Sequence, residues 1–353
     1  MSITAVAARA RVSIATVSRV INGTATVSPE TAERVREAIE ALSFYPDISA
    51  RTLGSGRSGL YGLIISDITN PYFPELVKAF EDIAVEHGQD ILIANTDYDP
   101  KRMEACVIRM LQRKVDGVAI MTSEMEDRLI DTFSHRQIPT IFMDTPKEMK
   151  GVNTVRVDYA AGVKLAMEHL FAFGHKRIAF ISGPLGLTSA QVRAQAFTKS
   201  LRQHELTGEP HLMQEGDHRV EGGHAAMQRI LSSGMRPTAV LASNDLTAIG
   251  AMGAIHESGL RIPQDISVIG FDDIELSAYI QPGLTTLHVP RRELAATAFR
   301  SLFRGRDEVA SMSALKWEHV IQPRLVVRHS TAQASKLTTE NAAGMMRKKE
   351  RTR

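Results

Sequence analysis

From residue 60 onward, short apolar runs alternate with amphipathic stretches, and that alternation constrains the fold more than any other feature of the chain. Segments 60–66, 91–95, 115–121 and 140–143 are largely apolar runs of strand length, and helical periodicity takes over from about Pro74, Pro100 and Glu126. A strand buried on both faces has no polar side to show, so such runs predict parallel strands with helices above and below the sheet. A second set follows Asp158: a helix to Phe173, a strand at 177–181, helices from Ser189 and Val220, a strand at 239–241, a helix from Leu246 and a strand at 266–269. The expected body is α/β, spanning 60–330, with two lobes of doubly wound parallel sheet.

The first 45 residues are organised differently, as a small all-α head. Ser13 can cap a short helix in which Val17, Val20 and Ile21 form an apolar stripe, leaving Ile14, Ala15, Thr16 and Arg19 outside it as candidate readers of a partner surface. Residues 3–10 make a second amphipathic run, and Arg9-Ala-Arg-Val12 between the two has the length of a helix-turn-helix corner. Ser28-Pro29 followed by Glu30 and Glu33 signals a third helix, striped by Ala32, Val35, Ile39 and Leu42 and stopped before Tyr45-Pro46. Up to Pro29 the chain holds Arg9, Arg11 and Arg19 and no acid. A plain three-helix scaffold is the alternative reading of these residues.

Charge separates the parts further. The net charge of +2 hides an excess of Arg in 1–57 and of Lys and Arg in 331–353, around a mildly acidic middle. That distribution suits a nucleic-acid-binding head on a large soluble body. The polar stretch 331–353, containing Arg347-Lys-Lys349, reads as a disordered basic tail. A single cysteine, Cys106, excludes an internal disulfide and suits a reducing compartment. No apolar run is long enough for a membrane span and no signal peptide is evident, so the expected location is the cytoplasm, at the nucleoid.

Thr16-Val-Ser-Arg-Val-Ile-Asn22, Val27-Ser-Pro-Glu-Thr31, Tyr45-Pro46 and Ala50-Arg-Thr-Leu53 resemble the DNA-binding head of the lactose-repressor/galactose-repressor (LacI/GalR) family. The similarity runs on through Asp67-Ile-Thr-Asn-Pro-Tyr-Phe73, Val115-Asp-Gly117, Gly174-His-Lys-Arg-Ile178, Ser243-Asn-Asp245, Gly270-Phe-Asp-Asp273 and Leu284-Thr-Thr286. Ala5 departs from the family's usual acid in helix 1, and Arg11 from its frequent Gly at the corner.

The resemblance implies a repressor that binds a palindromic operator as a homodimer under allosteric control. Ser13, Ser18 and Asn22 join the candidate readers, and residues 46–59 become a hinge helix and linker with Ala50 and Leu53 on DNA, Leu53 as a minor-groove wedge. Two turns of helix are marginal alone in water, which suits a segment that folds on its target. The body resembles type I periplasmic binding proteins, which implies a first lobe of about 60–157 and 288–316 and a second of about 158–287 and 317–330, with 287–303 and 317–327 crossing between them.

Open α/β sheets bind ligands beyond the carboxyl ends of their strands. Those ends supply Asp67, Asn70, Phe73, Asp97, Thr122, Ser123 and Asp144 from the first lobe, and Arg193, Asn244, Asp245, Asp272 and Asp273 from the second. Carboxylates, amides and an arginine satisfy many hydroxyls while an aromatic face packs a sugar ring, so the expected effector is a sugar or sugar derivative, ahead of a nucleobase. By resemblance, Arg193, Asn244 and Asp272 are the expected hydrogen-bonding residues and Phe73 the stacker. Each strand-end Asp has capping of the next helix as an equal alternative, and Asn244-Asp245 is the position most open to it. His218, where the family often has an aromatic, keeps a planar face and adds a titratable donor for a ligand with an acidic or polar edge, with an exposed loop histidine of no role as the equal alternative.

An enzyme is not indicated: the chain lacks a Gly-x-Ser-x-Gly elbow, a Walker loop, a dinucleotide fingerprint and His-Glu-x-x-His, and no cofactor or metal is expected. A solute-binding protein for sugar transport would share the body, but would need export and has no use for a basic head.

Overall fold

The computed structural model describes residues 2–23, 27–45, 57–122, 127–144, 153–305 and 318–335. The expected hinge with Ala50 and Leu53, the cleft residue Ser123 and most of the basic tail lie outside the described residues. The chain divides into two compact units, Met1–Gly59 and Leu60–Arg353.

The first unit holds α1 (Ile3–Ala10), α2 (Ile14–Asn22) and α3 (Pro29–Ala41). Each is started by a serine: the hydroxyls of Ser2, Ser13 and Ser28 accept from the N–H of Ala5, Thr16 and Thr31, satisfying donors that a helix start leaves open. Arg11 ends α1 with φ 55°, the left-handed conformation that a glycine at this corner adopts freely. Val17 is wholly buried among Val6, Ala7, Ala10, Val35 and Ala38, with Val20 and Ile21 packed beside it. The stripe read from the sequence is the side of α2 that the head buries.

In the second unit, β1 (Leu60–Ile65), α4 (Tyr72–Glu86), β2 (Asp90–Asn95), α5 (Pro100–Gln112), β3 (Gly117–Met121), α6 (Asp127–His135), β4 (Thr140–Met143) and β5 (Asn153–Val157) build a first lobe. Its six-stranded sheet is parallel throughout, in the order β11-β5-β4-β3-β1-β2, where β11 is Glu318–Ile321. The second lobe follows with α7 (Tyr159–Ala172), β6 (Ile178–Ser182), α8 (Thr188–Gln203), β7 (Met213–Glu215), α9 (Val220–Ser232), β8 (Ala239–Ala242), α10 (Asp245–Glu257), β9 (Ser267–Ile269) and the short α11 (Leu276–Tyr279). Its four strands are also parallel, ordered β7-β6-β8-β9.

Among the described residues, β5, β7, α11 and a 3-10 turn at Pro210–Leu212 went unread in the sequence. The expected second lobe also needs correction, because residues 317–330 do not lie in it as a block. β11 pairs in parallel with β5 from Glu318↔Thr154 to Ile321↔Val157, so it closes the first lobe's sheet. Only after it does the chain turn into β12 (Arg324–Val326), which pairs antiparallel with β10 (Thr286–His288). Between these two crossings, α12 (Arg291–Gly305) packs on α4 and the first sheet, with Phe299 at 5.1 Å from the Tyr61 ring and 5.4 Å from Phe80. Burying such a ring contributes about 1.5–3 kcal/mol. Cys106 is buried in the opposite face of that sheet.

Candidate functional site

On α2, Ser13, Ile14, Ala15 and Arg19 are exposed and Thr16 and Ser18 half-buried; α2 ends at Asn22. Ser13 caps the helix and its hydroxyl lies 2.9 Å from that of Thr16, so the pair forms one small polar edge at the start of the helix. No acid sits in the first turn. The positive end of the helix dipole and the guanidinium of Arg19 therefore offer an unopposed field to an anionic surface.

The cleft of the second unit lies between the carboxyl ends of the two sheets and has about 560 Å³ of space, part of it open to solvent. Asn70, Phe73, Asp144, Arg193, His218, Asn244 and Asp272 all line it, as do Tyr72 and Tyr159, which sequence reasoning had not singled out. Tyr72 stands inside a motif already noted. Tyr159 follows β5, so recognising that strand would have put it at a carboxyl end.

Arg193 is the centre of the site. Its guanidinium lies 3.7 Å from the centroid of the Tyr159 ring and 5.1 Å from that of Phe271. The side chain is buried, and among the described residues Nε and Nη1 have no hydrogen-bond partner. Tyr159 reaches across the lobes at the same time, its hydroxyl donating to Asp144 Oδ2. Asp144 Oδ1, the Tyr72 hydroxyl and Thr122 Oγ1 are likewise buried without partners among the described residues. Burial pushes the Asp144 carboxyl up to about 6, against the hydrogen bond from Tyr159 and the charge of Arg193. Asp272 is likewise held well above the usual carboxylate range, by burial and by nearby Asp245.

Other strand-end residues prove to be internal supports. Asn244 caps α10, accepting from Thr247 N–H at 2.9 Å while its Nδ2 donates to the His218 carbonyl at 2.9 Å. Asn70, just before α4, accepts from Tyr72 N–H at 3.1 Å. Both residues line the wall of the cleft. Asp245 is fully buried under the cleft, where Ile274 N–H and the hydroxyls of Ser277 and Thr286 all donate to it. Asp67 and Asp97 reach the second lobe instead, pairing with Arg219 at 3.4 and 3.6 Å. Asp273 is held by His288 and Arg328.

The expectation for His218 is corrected. Its ring is buried against Gly183 with Nδ1 3.2 Å from Ser243 Oγ, and burial plus the charge of Arg193 lower its pKa to about 3. At physiological pH it is a neutral, fixed ring and not a titrating donor.

A family model described as "Bacterial regulatory proteins, lacI family" matches residues 2–47, and one described as "Periplasmic binding protein-like domain" matches residues 167–331. Over 329 residues the chain is 36% identical to the HTH-type transcriptional repressor PurR of Edwardsiella ictaluri, covering 93% of this chain and 96% of that protein. It belongs to the LacI/GalR family. Another LacI-family relative, the HTH-type transcriptional repressor PurR of Erwinia tasmaniensis, is 37% identical over the same shares of each chain. The fold superposes on the lac repressor dimer bound to operator and the anti-inducer ONPF with a TM-score of 0.83 at 31% identity, covering 94% of this chain and 99% of that one. This LacI-family protein is a helix-turn-helix transcriptional repressor and not an enzyme. Among its described residues, no helix is long and apolar enough to cross a membrane.

Proposed function

We propose that this repressor is a cytoplasmic homodimer on an approximately palindromic operator, and that a flat, nucleobase-like molecule in the cleft controls its grip on DNA. Arg193 carries the effector half of this reading. A buried guanidinium with Nε and Nη1 unpaired calls for an acceptor from outside, because an unpaired buried polar group costs about 1–3 kcal/mol and a charged one more. Asp144 Oδ1 waits for a donor in the same way. Donors on one side, an acceptor on another and the aromatic surfaces of Phe73 and Tyr159 between them complement a planar heterocycle bearing a carbonyl and a ring N–H. A sugar presents hydroxyls in every direction and an apolar face, and so uses this arrangement less fully. The order expected from the sequence, sugar first, is thereby reversed.

A thermal-shift screen tests it. A ligand at 100 times its dissociation constant adds roughly 2.7 kcal/mol to folded-state stability. Purines and pyrimidines should raise Tm. Sugars belong in the panel because a structure with a TM-score of 0.70 to this one, at 27% identity, is that of the transcriptional regulator CelR–cellobiose complex; a response to sugars alone would falsify the nucleobase reading.

On DNA, a single three-helix head covers too little surface for specificity, so two heads are needed on two half-sites. Effector binding alters lobe closure, closure shifts the paired first lobes, and the segments at 46–53 gain or lose their meeting point in the minor groove. Sedimentation at micromolar concentration with and without operator checks the dimer; a monomer bound tightly to one half-site overturns it.

A further inference from the structure

Asp272 faces the cleft from a turn that its own sequence disfavours. Asp272 has φ 112° and Asp273 φ 58°, two successive residues in the region that suits glycine. Strain of this kind persists only where the surroundings over-determine the backbone, and it concentrates at ligand clamps. Part of the restraint is the Asp273 carboxylate, held by His288 Nδ1 at 2.9 Å and Arg328 Nη2 at 2.7 Å. The backbone adds a bridge to His288, with Asp272 N–H donating to the Leu287 carbonyl at 2.8 Å, and Arg291 contributes two bonds to the turn itself, from Nη1 to the Asp272 carbonyl at 2.6 Å and from Nη2 to the Asp273 carbonyl at 2.8 Å.

Arg291 also reaches the opposite wall. Its Nη2 pairs with Glu75 Oε2 at 2.6 Å, and Glu75 lies in the first turn of α4, the helix that begins with Tyr72 and Phe73. Glu75 Oε1 accepts from Glu275 N–H at 3.1 Å, which draws the second lobe's loop to the same carboxylate. Arg291 stands at the first residue of α12, where a cation opposes the helix dipole. Helix stability alone would not place it there; its partners do.

We infer that Arg291 is a positioning residue of the effector site, fixing the direction in which Asp272 presents its carboxyl group and tying that turn to the α4 wall. Effector affinity then depends on a side chain that does not touch the effector. The inference rests on the cleft reading above for its ligand probe, while the geometry it asserts can be measured without any ligand.

The test uses the full-length protein with Arg291→Ala, Arg291→Lys and Glu75→Gln. Amide exchange without ligand should quicken at least tenfold at 272–275 in Arg291→Ala while β6 and β8 keep wild-type protection. With guanine as the probe, calorimetry should show at least a tenfold loss of affinity in Arg291→Ala, and a smaller one in Glu75→Gln, which leaves both carbonyl contacts in place. Arg291→Lys, whose ammonium can still donate to both carbonyls, should recover part of both effects, and it serves alone if the alanine variant does not fold. A merely structural strut would lower Tm without moving guanine affinity. Unchanged exchange in Arg291→Ala, unchanged guanine affinity, or a loss that lysine does not partly recover each overturns the inference. If the wild type binds no guanine, the nucleobase reading fails, and the exchange data alone decide the role of Arg291.

Discussion

The Arg193 guanidinium rests 3.7 Å from the centre of the Tyr159 ring, and the same tyrosine donates its hydroxyl to Asp144. One aromatic side chain thus holds the cleft's buried cation from below and its acceptor across the lobes. A stacked cation of this kind contributes about 0.5–2 kcal/mol, less than the desolvation it offsets. Arg193→Met should therefore raise the Tm of the ligand-free protein, or leave it unchanged, while abolishing every ligand-induced shift. Scanning calorimetry with and without nucleobase decides; a variant clearly less stable than wild type contradicts this account.

Asp144 yields a pH dependence. Burial raises its carboxyl to about 6 from the usual 3.8, so the folded protein binds this proton more tightly than the unfolded chain does. Stability from this group is fully present below the unfolded value and is lost as pH rises through about 6, by on the order of 3 kcal/mol at 1.4 per unit. Asp144→Asn removes the effect. In urea denaturation, the variant should gain on wild type between pH 4 and pH 7, and a constant difference across that range would count against the shift.

Gly183 should not tolerate a side chain. A Cβ there would sit 2.1 Å from Cε1 and Nε2 of His218, which is itself wedged beside Ser243. Gly183→Ala should cost at least tenfold in effector affinity, about 1.4 kcal/mol, with operator binding near normal. Adding His218→Ala to Gly183→Ala should recover much of any lost stability, because the two sites are in contact and their effects do not add.

On the reader helix, Arg19→Ala should abolish discrimination between operator and random DNA while non-specific binding survives. Arginine commonly reads a guanine edge, worth about 1–3 kcal/mol per bidentate contact. Competition binding at fixed salt tells the two roles apart: equal weakening on both DNAs would assign Arg19 to phosphate.

At the helix corner, Arg11→Gly should stabilise the head by about 0.5–1 kcal/mol, since φ 55° is free for glycine and strained for arginine. The same change removes one positive charge, so the slope of log K against log salt for non-specific DNA should become shallower if Arg11 meets a phosphate. Thermal denaturation and a salt titration measure the two effects separately.

What the sequence determined by itself was whatever repeats or caps locally. Val17, Val20 and Ile21 mark the buried side of α2 because a helix brings them together every turn, and Ser13 and Ser28 start helices through bonds that span only three residues. The long parallel strands were legible for the same reason, their burial on both faces leaving unbroken apolar runs. β5 and β7 were not, because polar residues interrupt them, Thr154 and Arg156 in the first and Gln214 and Glu215 in the second, and α11 is a single turn too short to show a period. Which strand-end groups stay free was decided only in three dimensions. Helix capping at Asn244 was a reading the sequence already offered, but its bond to the His218 carbonyl and the three donors from distant segments that occupy Asp245 were not. Arg193 keeps unpaired nitrogens because its neighbours are the rings of Tyr159 and Phe271, and those lie beside it only once the sheets have folded. Burial and partner geometry depend on contacts far apart in the chain, and no local pattern encodes them.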